Sequence, residues 1–393
     1  MPVWRSAALG VLFATAAASA QARPGTAVAA AAGFDTRPGR AEVRRVADAV
    51  AKWQFEHLDD LGYITKYRAE AEQKRGWVQG SMYVGALRWA QASGSAGLLR
   101  RVQSWAEANQ YRLGDRLYHA DDHVVARVYL ALHGAGLADD RALSNAKAYF
   151  DAILAAPAIS DLRFDQPGAP LSPTNRWSWC DALFMSPPAW FEVSALTGDP
   201  RYRDFANKEF WATTAYLFDE QAGFFYRDSR FIGKRGTVGE KLFWGRGNGW
   251  VVAGLVALLE SMPGDYPDRP RYETLFKHMA RSLKETQHAQ GYWSSSLLDP
   301  AAPEEMSGTA FFVYGIQRGI DMKLLPSGEY APLVRRGWGA LVRAVQADGR
   351  LGHVQQIGDA PEAVRAEDSE LYGTGAFLLA AAAIYDAAGG PRS

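Results

Sequence analysis

The sequence predicts an all-α fold, an (α/α)6 barrel, that is, a six-hairpin toroid. Three observations carry this. Strand-like alternation is scarce. Apolar residues recur instead at three- and four-residue spacing. The helices implied are of two kinds that alternate along the chain. One kind is amphipathic with a polar face, as in "AEVRRVADAVAKWQFEHL", "RYRDFANKEFWATTAYLFD" and "YETLFKHMARSLKETQ". The other opens on small or polar residues and runs into Ala, Val, Leu and aromatics with few charges, the pattern of a helix buried all round except at one end. Its six members are "GSMYVGALRWAQAS", "DDHVVARVYLALHGA", "CDALFMSPPAWFEVSALTG", "GNGWVVAGLVALLESM", "SGTAFFVYGIQRGI" and "GTGAFLLAAAAIYDA". An inner ring of the second kind inside an outer ring of the first satisfies every face. A solenoid is the competing arrangement, and the nearly charge-free inner set at irregular spacing favours closure.

Ahead of the helices, Arg5, the apolar run from Ala7 to Ala17 and the ending Ala18-Ser19-Ala20 predict a signal peptide over residues 1–20. That implies export to a periplasm or the extracellular space. Residues 21–39, rich in Ala, Gly and Pro, read as a flexible lead-in, and residues 40–393 as the (α/α)6 domain. Cys180 is the only cysteine, so an exported fold here relies on packing rather than disulfides. Lysine plus arginine equals aspartate plus glutamate, 43 each, so no net charge draws the chain to nucleic acid or to an acidic membrane. An anionic ligand must be met by a local site.

In a closed toroid the starts of the six inner helices meet at one mouth. They bring Tyr83, Asp121, Asp122, His123, Asp181, Trp244, Arg246, Asn248, Trp250, Ser307 and Thr374 to a shared cavity. Indole faces stack on sugar rings, and carboxylates and amides bind hydroxyls, so the set predicts a carbohydrate pocket. Arg246, whose fork holds a carboxylate bidentately, points to a uronic acid. Asp122 and Asp181 open the second and third inner helices, and two carboxylates flanking a sugar are the usual means of acid and base catalysis on glycosides. Asp181, amid Trp177, Trp179, Phe184 and Met185, has the more apolar surroundings and is the expected proton donor. Helix capping is the plainer reading of both aspartates. In "GRGNGW" the glycines are expected to let backbone and ligand come close.

No metal site is expected. His119 and His123 stand four apart, but "HExxH" and cysteine clusters are missing, as are a P-loop, a dinucleotide fingerprint and a G-x-S-x-G elbow. No cofactor is required. A monomer or weak homodimer is expected.

The combination "ADDHVVARVYLAL", "WSWCDALFMSPP", "FFYRDSR", "FWGRGNGW" and "SGTAFFVYGI" resembles glycoside hydrolase family 105, the unsaturated rhamnogalacturonyl hydrolases, and more distantly the unsaturated glucuronyl hydrolases of family 88. The resemblance runs from about Val43 to Ala388 and implies the same (α/α)6 barrel. It implies removal of a 4,5-unsaturated uronic acid from the non-reducing end of oligosaccharides made by polysaccharide lyases, as in pectin degradation, by hydration of the double bond. Asp181 would protonate C4 and activate the water that adds at C5, and Asp122, or its neighbour Asp121, would orient the ring. Trp244 and Trp250 would stack on the substrate and Arg246 would grip it, with Tyr83, Asp121, His123, Trp179 and Asn248 completing the binding set. Where some members carry a His after the tyrosine, this chain has Arg227 and Asp228, so Arg227 or Asp228 is expected to replace that contact and to alter which aglycone is accepted. An unsaturated glucuronyl hydrolase of other glycans, a uronate-specific lyase using Tyr118 and His119, an inverting hydrolase using Asp122 and Asp181, and last a non-catalytic glycan binder are the alternative readings.

Overall fold

In the computed structural model, which describes residues 38–164 and 175–389, the six charge-poor segments are helices and six amphipathic helices precede them in turn. In chain order the helices are α1 (Arg40–Glu56), the short α2 (Arg68–Glu72), α3 (Trp77–Ser93), α4 (Ala96–Ala108), α5 (Val124–Gly134), α6 (Arg141–Ala155), the single turn α7 (Ala182–Met185), α8 (Pro187–Thr197), α9 (Pro200–Leu217), α10 (Gly245–Ser261), α11 (Arg269–Thr286), α12 (Met306–Asp321), α13 (Ser327–Ala344) and α14 (Leu371–Ala388). The expected signal peptide over residues 1–20 lies outside the described residues, as does all of the lead-in but its last two positions.

The burial of each helix follows its composition. Every residue of α14 from Leu371 to Tyr385 is buried, whereas α13 buries Tyr330, Leu333, Val334, Gly337, Trp338 and Leu341, a single stripe at helical spacing. The all-buried helices pack in a ring. α3 meets α5, α5 meets α8, and α8, α10, α12 and α14 follow in order until α14 returns to α3. Outside them α1, α4, α6, α9, α11 and α13 each cover an inner neighbour. The toroid is therefore closed, as the scarcity of charge in the inner set predicts.

Closure depends on two glycines facing each other across the α14–α3 seam. A Cβ on Gly85 would lie 2.0 Å from the Gly375 carbonyl oxygen, and one on Gly375 would lie 2.5 Å from the Ser81 carbonyl oxygen. The atoms in the way are backbone, which cannot rotate aside. Gly375→Ala is therefore expected to destabilise the fold by about 3 kcal/mol or more, lowering the Tm by several degrees in a thermal melt.

One inner segment departs from the expected continuous helix. "CDALFMSPPAWFEVSALTG" is interrupted at Ser186, because Pro187 has no N–H to continue the ladder of α7 and restarts the helix as α8. The break leaves α7 as one turn under the barrel mouth, with Asp181 immediately before it.

Candidate active site

Residues at the starts of α3 and α10, in and before α7 and in the 3-10 turn before α5 line a cavity of about 650 Å3, which the starts of α12 and α14 do not reach. Its walls carry Asp121, Trp179, Asp181, Arg227, Trp244, Arg246 and Trp250, all expected from the sequence. Lys66 and Tyr67 come from the link before α2, Glu70 from α2 itself and Trp77 from the start of α3; Arg116 and His119 come from the link before α5, Met185 from α7, and the long link before α14 supplies Ile357, Gly358, Asp359 and Glu362.

Asp181 stands at the inner end, 8% exposed. Its carboxylate does not cap α7, which removes the plainer reading of this residue. The Cys180 thiol donates to its Oδ1 at 3.1 Å, and the Cys180 amide donates to the Arg227 carbonyl at 2.8 Å, which pins the strand-like approach to Asp181 against residues 226–228. Burial raises the pKa of Asp181 above the ordinary carboxylate range, and the Arg227 guanidinium draws it partly back. The group can thus hold a proton in the cavity and, once ionised, stay ionised beside a cation.

Of the adjacent pair Asp121 and Asp122, the one on the wall is Asp121, and here the sequence expectation of Asp122 is corrected. The short 3-10 turn Ala120–His123 directs the two adjacent aspartates to different sides. Asp122 turns inward onto Arg116, accepting from its Nη2 at 2.6 Å and its backbone amide at 2.7 Å, and it fills the space left by the missing Cβ of Gly114. It holds the loop and does not cap α5, whose N-cap is His123. Asp121 faces the cavity, where burial pushes its carboxyl up to about 7, opposed by Arg116. His119 sits beside it, its ring 5.0 Å from that of Trp179, and burial lowers its pKa to about 4, so it is neutral.

Arg246 is on the wall but is not a free fork. Its Nη1 donates to the Gln355 carbonyl at 2.6 Å and its Nη2 to the Gln356 carbonyl at 3.1 Å, while its plane lies between the rings of Trp244 and Tyr372. It fastens the link before α14 to the start of α10 and lends its charge from beneath. Trp244 helps, donating from Nε1 to Gln355 Oε1 at 3.0 Å. Arg227 spends Nη1 on Asp228 at 2.7 Å, and the Nε of both arginines has no partner among the described residues.

Three more expected binding residues lie elsewhere. Tyr83 is stacked on Trp105 at 4.0 Å in the seam between α3 and α4. The helix starts at Trp77, not near Gly80, so Tyr83 lies about 9 Å down the axis and Trp77 holds the mouth position. His123 is buried, with Nδ1 2.6 Å from Ser186 Oγ and Nε2 3.0 Å from the Leu117 carbonyl. Asn248 clips the short strand Phe224–Phe225 to α10, accepting from the Phe225 amide at 2.8 Å and donating to its carbonyl at 3.0 Å. Of the other mouth positions, Ser307 donates to Glu305 and Thr374 to Gln54. The glycines of "GRGNGW" also serve the protein rather than a ligand. A Cβ on Gly245 would meet the Ser294 carbonyl at 2.3 Å, and one on Gly247 would meet the Trp244 ring at 2.8 Å and the Cys180 sulfur at 3.2 Å.

The sequence profile of Glycosyl Hydrolase Family 88 matches residues 46–388, most of the chain and all twelve barrel helices but the first turns of α1. The chain belongs to this family. It is a glycoside hydrolase, and the family is the one named above as the more distant resemblance. A curated relative from Alteromonas sp. (strain LOR), described as an unsaturated 3S-rhamnoglycuronyl hydrolase, is 39% identical over 350 residues, 86% of this chain and 84% of the relative. A family 88 glycosyl hydrolase of solved structure from Bacteroides vulgatus superposes with a TM-score of 0.77 at 26% identity, covering 88% of this chain and 99% of that one. A solved structure described as a polysaccharide lyase matches equally, with a TM-score of 0.77 at 26% identity over 90% of this chain and 99% of that one.

Within this family 88 enzyme, Trp77 was open to recognition in the sequence, as an indole directly after Gly76 at a helix start. No local pattern marks Lys66, Tyr67 or residues 357–362. They reach the cavity through contacts between distant parts of the chain.

Proposed function

We propose that the chain removes a 4,5-unsaturated uronic acid from the non-reducing end of an oligosaccharide in which that uronate is joined to rhamnose. The observation that supports this best is that a buried Asp181, its pKa raised by burial, and Asp121 line one cavity with Trp179, Trp244, Trp250 and Arg227. The name of the Alteromonas relative supplies the sugar pair.

In this reading the three indoles wall the site that the ring enters, and Arg227 meets the uronate carboxylate, the role that the engaged fork of Arg246 leaves open. Asp181 gives its proton to C4, and the resulting cation is shared between C5 and the ring oxygen. Water adds at C5 and loses its proton to the same carboxylate, now ionised and steadied by Arg227. The hemiketal at C5 opens to a ketone, and the hemiacetal released at C1 expels the leaving sugar as its alcohol. Asp121 acts as the orienting partner that holds ring hydroxyls and keeps a proton near neutrality.

The sign of an absorbance change separates this from the lyase reading. Hydration consumes the conjugated enol ether, so ultraviolet absorbance falls when the purified chain meets an unsaturated uronate–rhamnose disaccharide. A lyase creates that chromophore, and absorbance would rise on a saturated uronate polymer. A rise on polymer with no fall on the disaccharide would overturn the proposal.

A further inference from the structure

Of the rings on the cavity wall that the hydration chemistry does not use, Tyr67, Trp77 and His119, only Tyr67 is exposed. Tyr67 lies on the cavity wall yet is 66% exposed, whereas Trp244 and Trp250 on the same wall are 2% and 1% exposed. An exo-acting enzyme takes the terminal uronate into the closed end of such a cavity, so a ring at the open end faces whatever lies beyond the bond that breaks.

Its backbone is set at a cost to hold it there. Tyr67 has φ 51 and ψ 36, the left-handed region that a bulky residue adopts only under constraint. Tyr111 shares that conformation but uses it to bury its ring in the core, at 2% exposure. Tyr67 uses it to hold its ring out. The constraint is visible: Gln356 Oε1 accepts from the Thr65 amide at 2.8 Å and from the Thr65 hydroxyl at 3.2 Å, and Gln356 Nε2 donates to the Ser369 carbonyl at 3.1 Å. The turn carrying Tyr67 is thus tied to the same Gln355–Gln356 segment that Arg246 anchors beneath the catalytic end. Lys66, next to it, forms an ion pair with Glu362 across the opening. Among the described residues the Tyr67 ring has no aromatic or hydrogen-bonding partner of its own, so its face is available.

We infer that Tyr67 is the stacking platform of a leaving-sugar subsite, a saccharide site at the rim that takes the residue on the reducing side of the cleaved bond. The inference rests on the function proposed above. A tyrosine held rigidly outside a sugar cavity contributes apolar contact at small entropic cost, because its backbone and mount are already fixed.

The test compares an unsaturated uronate–rhamnose disaccharide with the methyl glycoside of the same unsaturated uronate, each followed by loss of absorbance. The disaccharide is expected to have the higher kcat/KM in the wild type, chiefly through KM. Tyr67→Ala is expected to shrink that preference about five- to tenfold, and Tyr67→Phe to keep it. Tyr67→Gly, which suits the left-handed backbone, should lose the preference like Tyr67→Ala while melting at a higher temperature than Tyr67→Ala, which separates loss of the ring from loss of the fold. Equal falls on both substrates, or a preference untouched in Tyr67→Ala, would overturn the subsite. A wild type inert on both substrates overturns the function on which it rests.

Discussion

Asp181→Asn is expected to lower kcat for hydration by on the order of 10^3 to 10^4, because one carboxyl both delivers the proton to C4 and takes one from the attacking water, and an amide does neither. The side chain keeps its size, so Cys180 retains an oxygen acceptor where Oδ1 now stands. Folding is expected to be at least as stable as in the wild type, since the substitution removes a buried group whose ionisation burial opposes. The loss should therefore fall on kcat, with substrate still bound, and binding of the disaccharide to the variant is checked by quenching of the cavity indoles. A variant that binds and turns over at wild-type rate would assign the proton transfers to another group. Loss of binding together with turnover would make Asp181 a ligand rather than an acid.

Asp121→Asn is expected to reverse its effect on stability with pH. Asp121 ionises near 7 in the folded chain against an ordinary value of 3.8. Between those values the folded state holds a proton that the unfolded state has released. Folding stability contributed at this position thus declines as pH rises through that window and levels off above about 7. Asparagine has no proton to lose. Its variant should melt at a higher temperature than the wild type at pH 8 and nearly level with it at pH 4, while kcat falls about a hundredfold for want of the orienting carboxyl. Thermal melts at several pH values give the first result and absorbance kinetics the second. Parallel melting curves for the two proteins would show that Asp121 is not held protonated. The matched variant Asp122→Asn should instead lose stability at pH 8, because it breaks the ion pair with Arg116.

The ring was legible because its signal is an average over whole helices: lack of charge in α14 or α10 cannot be satisfied on a surface, and the alternation with amphipathic helices leaves few arrangements. Site positions depended on single residues. A three-residue error in the start of α3 sent Tyr83 to the mouth in place of Trp77, since each residue of a helix advances about 1.5 Å and turns about 100°. Asp121 and Asp122 are indistinguishable by composition or spacing, and a single tight turn decides which one meets the cavity. Arg246 read as a carboxylate clamp because nothing near it in sequence shows that the carbonyls of Gln355 and Gln356, more than a hundred residues on, occupy its fork. The family resemblance carried Asp181 correctly to the cavity because the segment around it is itself buried and locally ordered.

The seam between α14 and α3 also sets a clock on synthesis. Gly85 emerges early, and its partner Gly375 follows 290 residues later, which at ribosomal rates of about 5–20 residues per second is a wait on the order of tens of seconds. Through that interval the flank of α3 that α14 will cover stays bare, and the cavity lacks Ile357, Gly358, Asp359 and Glu362. The nascent protein is therefore an open arc of hairpins with an apolar edge, inactive and prone to self-association, until its last helix arrives and seals the barrel and the catalytic cavity together.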